Sequence, residues 1–342
     1  MNKKSKRKND LRSSIILLLL LILLLISSTY AWFTANQTVT ISTIDVTIDA
    51  SNGLQISADA SEWKSILLNE DIAPTAAYTG NKNQIPIKMV PVSTAGATDT
   101  EGHLKMFLGN VMADETTGDY ELTSTLETDA AGTTGNYIAF DIFLKVDADT
   151  DLELSKASYV IMDDDSTDKG IKQASRVAFV IQGTKDAGSA VGEITALNAG
   201  ESADVYIWEP NANWHTAAAV QHAYNTYKIT TGESDTKATG GVVNQDAVTY
   251  YGINSVISDG VVLADTNKEG NTSFTKMTPE YVTNSDSNGK MTSDLSIFSL
   301  SAGITKVRVY MWVEGQDVDC ENTASGTDIS YNLQFQVAGT GA

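Results

Sequence analysis

Apolar residues alternate with polar ones along most of this chain, in short runs rich in Val, Ile, Thr and aromatics, and such runs predict half-buried β-strands. The first is Thr38 to Asp49, Thr-Val-Thr-Ile-Ser-Thr-Ile-Asp-Val-Thr-Ile-Asp. Similar runs cover Ile85 to Val92, Tyr137 to Val146, Leu152 to Ile161, Arg176 to Gln182, Ala203 to Trp208, Ala247 to Ile253, Lys306 to Val313 and Ile329 to Val337. Clusters of Gly, Asn, Asp, Ser and Thr separate them. Strands broken by turn chemistry, without alternating helices, predict an all-β fold of antiparallel sheets packed as a β-sandwich or jelly roll. Helical patterning is confined to short insertions at Ser61 to Leu68, Gly170 to Ser175 and Trp214 to Tyr227, the last with Asn213 placed to cap it. Thr230 to Asn244 and Asp265 to Met291 are polar and predict long surface loops. A soft subdomain boundary is expected near Gly183 to Gly192.

One segment departs from the strand pattern. Lys3, Lys4, Lys6, Arg7, Lys8 and Arg12 precede a twelve-residue apolar run, Ile15 to Ile26, followed by Ser-Ser-Thr-Tyr-Ala-Trp-Phe-Thr. Basic start, short apolar core and small residues at Thr29 and Ala31 make an export signal, with cleavage expected between Ala31 and Trp32. The competing reading is a retained membrane anchor, because counting on to Phe33 brings the segment close to the roughly 20 residues a spanning helix needs. Either way the remainder is expected outside the cytoplasm. The expected organisation is a signal peptide over 1–31, an N-terminal strand over 32–50 and a β-sandwich over 51–342.

Charge narrows the partners. Residues 1–31 hold six of the 23 Lys and Arg but one of the 43 Asp and Glu, so the rest of the chain carries a net −25. That field repels phosphates and anionic lipid, which argues against nucleic acid and leaves the membrane only the N-terminal segment. The single cysteine, Cys320, excludes an internal disulfide framework, so the fold rests on its core.

Catalytic motifs are missing. There is no His-Glu-x-x-His, Gly-x-Ser-x-Gly elbow, Walker-type phosphate loop or Cys-x-x-Cys, and only three histidines, His103, His215 and His222. A non-enzymatic protein is expected. Asp147, Asp149 and Asp151 fall at alternate positions with Glu153 beyond. They would converge on calcium if the segment curled into a loop, but would leave by the solvent face of an extended strand. Asp163, Asp164 and Asp165 read as a hairpin turn, and Glu314, Asp317, Asp319 and Glu321 share the two readings of the first acidic cluster. Trp208, Trp214, Tyr206, Tyr224 and Tyr227 gather aromatics near one another; Trp214, among Asn and His, is the candidate ligand-stacking residue, and Trp208 reads as packing.

The signal junction, Thr29-Tyr30-Ala31-Trp32-Phe33-Thr34, and the following Thr43-Ile44-Asp45-Val46 resemble the start of the TasA/camelysin proteins of Gram-positive bacteria, which are processed by a SipW-type signal peptidase. Ser42 stands where that family's first strand usually has Gly. Tyr137 to Lys145 and Trp312 to Asp317 resemble segments of Firmicutes surface proteins with the same signal class. The resemblance implies an exported jelly-roll subunit that assembles into biofilm-matrix fibres by giving its N-terminal strand to the next copy. Val39, Ile41, Ile44, Val46 and Ile48 would be the anchors, with a shift of register near Thr43. The same run also reads as the first strand of the chain's own sheet. Three departures stand out: the chain is longer than the usual fibre subunit, camelysin's protease activity finds no zinc motif, and the final Val-Ala-Gly-Thr-Gly-Ala has no Leu-Pro-x-Thr-Gly sorting signal. The expected function is a secreted matrix or cell-surface structural protein whose partners are its own copies and a signal peptidase; the alternative is a membrane-anchored monomeric adhesin or glycan-binding module.

Overall fold

The computed structural model describes residues 38–50, 53–113, 120–163, 170–216, 219–220, 248–263, 268–286, 288–320 and 328–339. The chain divides into units Met1–Ala31 and Trp32–Ala342, and every described residue lies in the second. In chain order the strands are β1 (Val39–Ile48), β2 (Gln55–Ser57), β3 (Ile66–Leu67), β4 (Lys88–Met89), β5 (Met106–Ala113), β6 (Tyr120–Glu127), β7 (Ile138–Val146), β8 (Thr150–Leu154), β9 (Tyr159–Met162), β10 (Ser175–Lys185), β11 (Val205–Glu209), β12 (Tyr250–Ile253), β13 (Ile257–Val262), β14 (Phe274–Met277), β15 (Tyr281–Val282), β16 (Leu295–Leu300), β17 (Gly303–Val313) and β18 (Ile329–Val337). Short helices α1 (Asn69–Ile72), α2 (Ile171–Ala174) and α3 (Val191–Thr195) lie between them. The soft boundary expected at 183–192 falls on the end of β10 and the start of α3.

A seven-stranded sheet has the order β16-β8-β18-β1-β3, with β4 also on β1 and β9 on β18; a six-stranded sheet runs β15-β11-β10-β17-β7-β2. Two small sheets, β13-β6-β5 and β12-β14, complete the fold. The sheets are mixed rather than purely antiparallel, because β1 runs parallel to β18 and β11 parallel to β15.

Period-two alternation assigns the faces. Val307, Val309, Met311 and Val313 of β17, Ile138 to Val146 at alternate positions of β7, and Val177 and Phe179 of β10 share one core with Ile329, Tyr331, Leu333 and Phe335 of β18 and with β1. Full burial of such a side chain stabilises by roughly 1.5–3 kcal/mol. The opposite face of the six-stranded sheet is also covered. Tyr137, Ala139, Ala178, Val180, Tyr310 and Trp312 form a second cluster there, and the same face carries Arg176, Arg308 and Asp141, all buried. Charged side chains placed there require partners.

Three expectations change. Ser61 to Leu68 does not form a helix; Lys64 bridges to Ile56 and Ile66–Leu67 pairs with β1, so sheet pairing overrides a weak helical preference. Ile85 to Val92 yields only the two-residue β4, because Pro86 and Pro91 lack the N–H that a ladder needs. Asp265 to Met291 contains β14 and β15 rather than one long loop.

Candidate functional site

The candidate assembly strand, β1, has a two-sided environment. Along one side every residue from Thr43 to Ile48 pairs with Ser330 to Phe335 of β18, and Ile41 pairs with Ile329. The ladder shifts between Ile41 and Thr43, which changes the phase of the strand. Val39 before the shift and Ile44, Val46 and Ile48 after it therefore all enter the core, with Ile41 packed at its margin. On the other side Val39 and Thr40 pair with β4 and Val46 and Thr47 with β3, and the Ile41 and Ile48 N–H groups donate to the Ile87 and Ser65 carbonyls at 3.2 and 2.9 Å. Between them the Ile44 N–H is capped by the Asn69 side-chain carbonyl at 3.0 Å. The segments forming this cover carry Ile87, Ile66 and Leu68, which are 70, 41 and 37% exposed, so the outer flank of β1 is apolar and wet.

A buried ionic network lies on the outer face of the six-stranded sheet. Arg308 donates through Nε to Asp129 Oδ2 at 2.8 Å, through Nη1 to Asp141 Oδ1 at 2.9 Å and through Nη2 to the Lys82 carbonyl at 2.7 Å. Tyr137 and Tyr310 hydroxyls also donate to Asp129, and Tyr78 donates to Asp141. Burial would raise the Asp141 carboxyl, but Arg308 and then Lys306 hold it below the usual carboxylate range. Lys306 is pulled down by burial and donates to the Thr195 carbonyl at 2.8 Å. Tyr78, Asp141, Lys306 and Arg308 floor a cleft of about 280 Å³ that His103, Gln182 and Asn198 also line. The carboxylates are committed to structural donors, and the arrangement ties the segments around Tyr78, Lys82 and Asp129 to β17.

A second network closes the turn after β17. Arg176 donates to Asp317, stands 3.2 Å from Glu209 Oε2, and bonds the Gln173 and Ser175 carbonyls. His215 has Asp319 Oδ2 at 2.5 Å from Nδ1 and the Ala212 carbonyl at 2.9 Å from Nε2. Both ring nitrogens face acceptors, which is the environment of an imidazolium. Burial opposes that charge, but Asp319 prevails and lifts His215 to about 9. Burial raises Glu209 to about 7 against the pull of Arg176, and raises Glu314 to about 7 although Trp312 Nε1 and the Gln316 N–H bond it. Glu314, Asp317 and Asp319 are thus neither on the solvent face nor gathered on calcium; they are buried counter-ions and caps. Glu321 lies outside the described residues.

The remaining candidates are dispersed. Asp147, Asp149 and Asp151 are exposed; Asp149 accepts from the Ala302 N–H at 2.9 Å and Asp151 from the Ser299 hydroxyl at 2.6 Å. Asp151 stands in β8, where Leu152 and Leu154 are buried, whereas Asp147 and Asp149 lie in the short connection between β7 and β8, so the strand alternation accounts for only the last of the three. Among the described residues no group of three or more His, Cys, Asp or Glu is arranged to hold a metal. Trp214 is half-buried and donates to the Ser285 carbonyl at 3.0 Å; Asn213 pairs with the Ser285 main chain and does not cap a helix. Trp208 is fully buried, as is Cys320. Asp163 bonds the Ser330 hydroxyl at 3.0 Å. Ala31, Trp32, Asp164, Asp165, His222, Tyr224, Tyr227 and the loop Thr230 to Asn244 lie outside the described residues. No helix among the described residues is long and apolar enough to cross a membrane.

Comparison with protein-family models, with curated proteins and with solved structures finds no match for this chain. The functional reading therefore rests on its own residues. Sequence patterning missed Arg176, Arg308, Asp129 and Asp141. For Arg176, Arg308 and Asp141 the available signal was a charge inside a strand run that is otherwise apolar; Asp129, in the loop after β6, carried none.

Proposed function

We propose that this chain is an exported, non-enzymatic cell-surface or biofilm-matrix protein of the TasA-like kind, a β-sandwich of jelly-roll type that assembles by exchanging β1 between copies. The observation that carries the reading is the asymmetric seat of β1. One side holds a ladder to β18 that is unbroken from Thr43 to Ile48, while the other is covered by two-residue strands and a few further main-chain bonds, with exposed apolar flanks. A strand so placed supplies four buried anchors and a full set of main-chain bonds to whichever sheet receives it. It joins β2 through only the residues between Ile48 and Gln55, so withdrawing it leaves the other strands of the sheet in sequence. Copies of the same chain and a signal peptidase are its partners, and the membrane meets it only through residues 1–31.

The test is complementation in trans. A chain beginning at Asp49 is expected to bind a synthetic Thr38–Asp49 peptide and regain its melting transition. The same peptide carrying Val46→Asp is expected to bind at least about 100-fold more weakly, because a carboxylate would enter the core. Failure to capture the peptide, with full-length protein monomeric at every concentration, would assign β1 permanently to its own sheet. Sequencing the N-terminus of protein released by its host separates the two membrane readings: Trp32 supports release, whereas an intact Met1 favours an anchored adhesin or glycan-binding module.

A further inference from the structure

We infer that Lys306 is a carbonyl-capturing amine: the cleft above it takes a small hydroxylated aldehyde, such as an open-chain sugar, and holds it as an imine on Nζ. The site lies on the outer face of the six-stranded sheet and does not involve β1. Alternation along β17 puts Lys306 and Arg308 on one side of the strand, with Asp141 of β7 opposite Arg308. The Lys306 side chain is 11% exposed and lines the cleft. Its ammonium donates to the Thr195 carbonyl at 2.8 Å and stands 3.6 Å from Asp141 Oδ2. An ammonium has three N–H groups, so one position on Nζ is left for a ligand.

A lysine attacks a carbonyl only as the free amine, and an ordinary lysine keeps its proton at neutral pH. Lys306 is placed otherwise. Burial lowers its pKa, and the Arg308 guanidinium adds to that against the pull of Asp141. Asp141 is itself held in position, by Arg308 Nη1 at 2.9 Å on Oδ1 and by the Tyr78 hydroxyl on Oδ2. Nucleophile, proton relay and orienting donors therefore lie side by side at the floor of one cleft. The nitrogen lone pair forms the new bond to the carbonyl carbon, and one N–H proton passes to the oxygen to give a carbinolamine. The second N–H proton leaves with that hydroxyl as water, and a C=N bond remains. Asp141 relays both protons, and the step needs no oxidant or reductant.

Charge selects the class of ligand. An acyl donor would turn Nζ into a neutral amide and leave Asp129 and Asp141 with Arg308 as their one close cation. A protonated imine keeps a positive charge at the same place, so the buried balance survives the reaction. A neutral aldehyde also escapes the repulsion that a chain of net charge −20 exerts on anions. Size and lining set the rest. A cleft of about 280 Å³ lies below the usual range for drug-sized ligands and holds a short chain or a single ring. Gln182, Asn198 and His103 on its wall are hydrogen-bonding groups suited to hydroxyls, and Gly80, Lys82 and Glu101 form an exposed rim. Capture is stoichiometric, which gives a non-enzymatic protein a covalent attachment point without turnover.

The experiment treats the full mature chain with glyceraldehyde and sodium cyanoborohydride, which reduces an imine to a stable secondary amine, and follows each lysine by peptide mapping. Lys306 is expected to be modified at least about 10-fold faster than the exposed Lys88 and Lys276. In urea the three rates are expected to converge, because the cleft no longer exists. Lys306→Arg keeps a cation beside Asp141 and is expected to stay folded while losing only the fast phase of labelling. Propionaldehyde, which lacks hydroxyls, is expected to show a smaller preference for Lys306, and an equal preference would overturn the assignment of a hydroxylated ligand. Labelling of Lys306 no faster than Lys88 and Lys276 in the folded chain, or a preference that persists in urea, would overturn the proposal as a whole. Loss of β1 exchange leaves these rates unchanged, so the two readings fail separately.

Discussion

Arg308→Met is expected to lower the free energy of unfolding by about 3–5 kcal/mol, the cost of leaving buried carboxylates without their counter-ion. The Arg308, Asp129 and Asp141 side chains are each no more than 3% exposed, so water cannot take over the role of the guanidinium. Two tyrosine hydroxyls on Asp129 and one on Asp141 remain, but hydroxyls do not neutralise a charge, and the Lys306 ammonium 3.6 Å from Asp141 covers only one of the two carboxylates. Urea unfolding of the variant is expected to show an earlier midpoint with an unchanged slope. Adding Asp129→Asn to Arg308→Met is expected to restore much of the loss, because the penalty lies in the orphaned charge rather than in the missing side chain, and Asp141 keeps Lys306 as its cation. A double variant no more stable than the single one would place the effect in packing instead.

Stability is also expected to fall, by a few kcal/mol in total, as pH is raised from about 5 to 9. Glu209 and Glu314 keep their protons in the folded chain up to about 7, but release them near 4.5 once unfolded. Their contribution is complete below 4.5 and is lost as pH climbs to 7. His215 continues the trend, since its proton is held to about 9 in the fold and to 6.5 outside it. On the acid side Asp141 acts oppositely: its depressed pKa stabilises the fold above 3.8, and that contribution is lost as pH falls through the folded value. The optimum is therefore expected near pH 4.5. Thermal melts across this range test the prediction, and Glu314→Gln is expected to flatten the segment below 7; a melting temperature that rises from pH 5 to 8 would refute it.

Strand runs with uninterrupted β-branched patterning were readable from the chain. Ile329 to Val337 matches β18 residue for residue, and the change of phase at Thr43 is where the β1 ladder shifts. Local pattern failed where an element depends on distant sequence. β5 holds a Gly-Asn pair at its centre, which reads as a turn, and it becomes a strand only by pairing with β6. The acids after β17 read as calcium ligands or solvent-facing residues because the cations that neutralise them, Arg176 and His215, are 141 and 104 positions away. Arg308, between Val307 and Val309 in a strand buried on both faces, was the clearest available sign that a partner had to exist.

The parallel union of β1 with β18 sets how the molecule bears load. Thr47 and Leu333 are in hydrogen-bond contact across 286 positions of sequence, and the two strands point the same way. Tension applied to the two ends of the chain pulls β1 toward its beginning and β18 toward its end, so the strands must slide past one another along their length. The main-chain bonds from Ile41 to Ile48 then carry force together instead of opening one after another as in a peeled hairpin. The ladder acts as a shear clamp between the termini, and β2 to β17 stay out of the line of pull until it gives way.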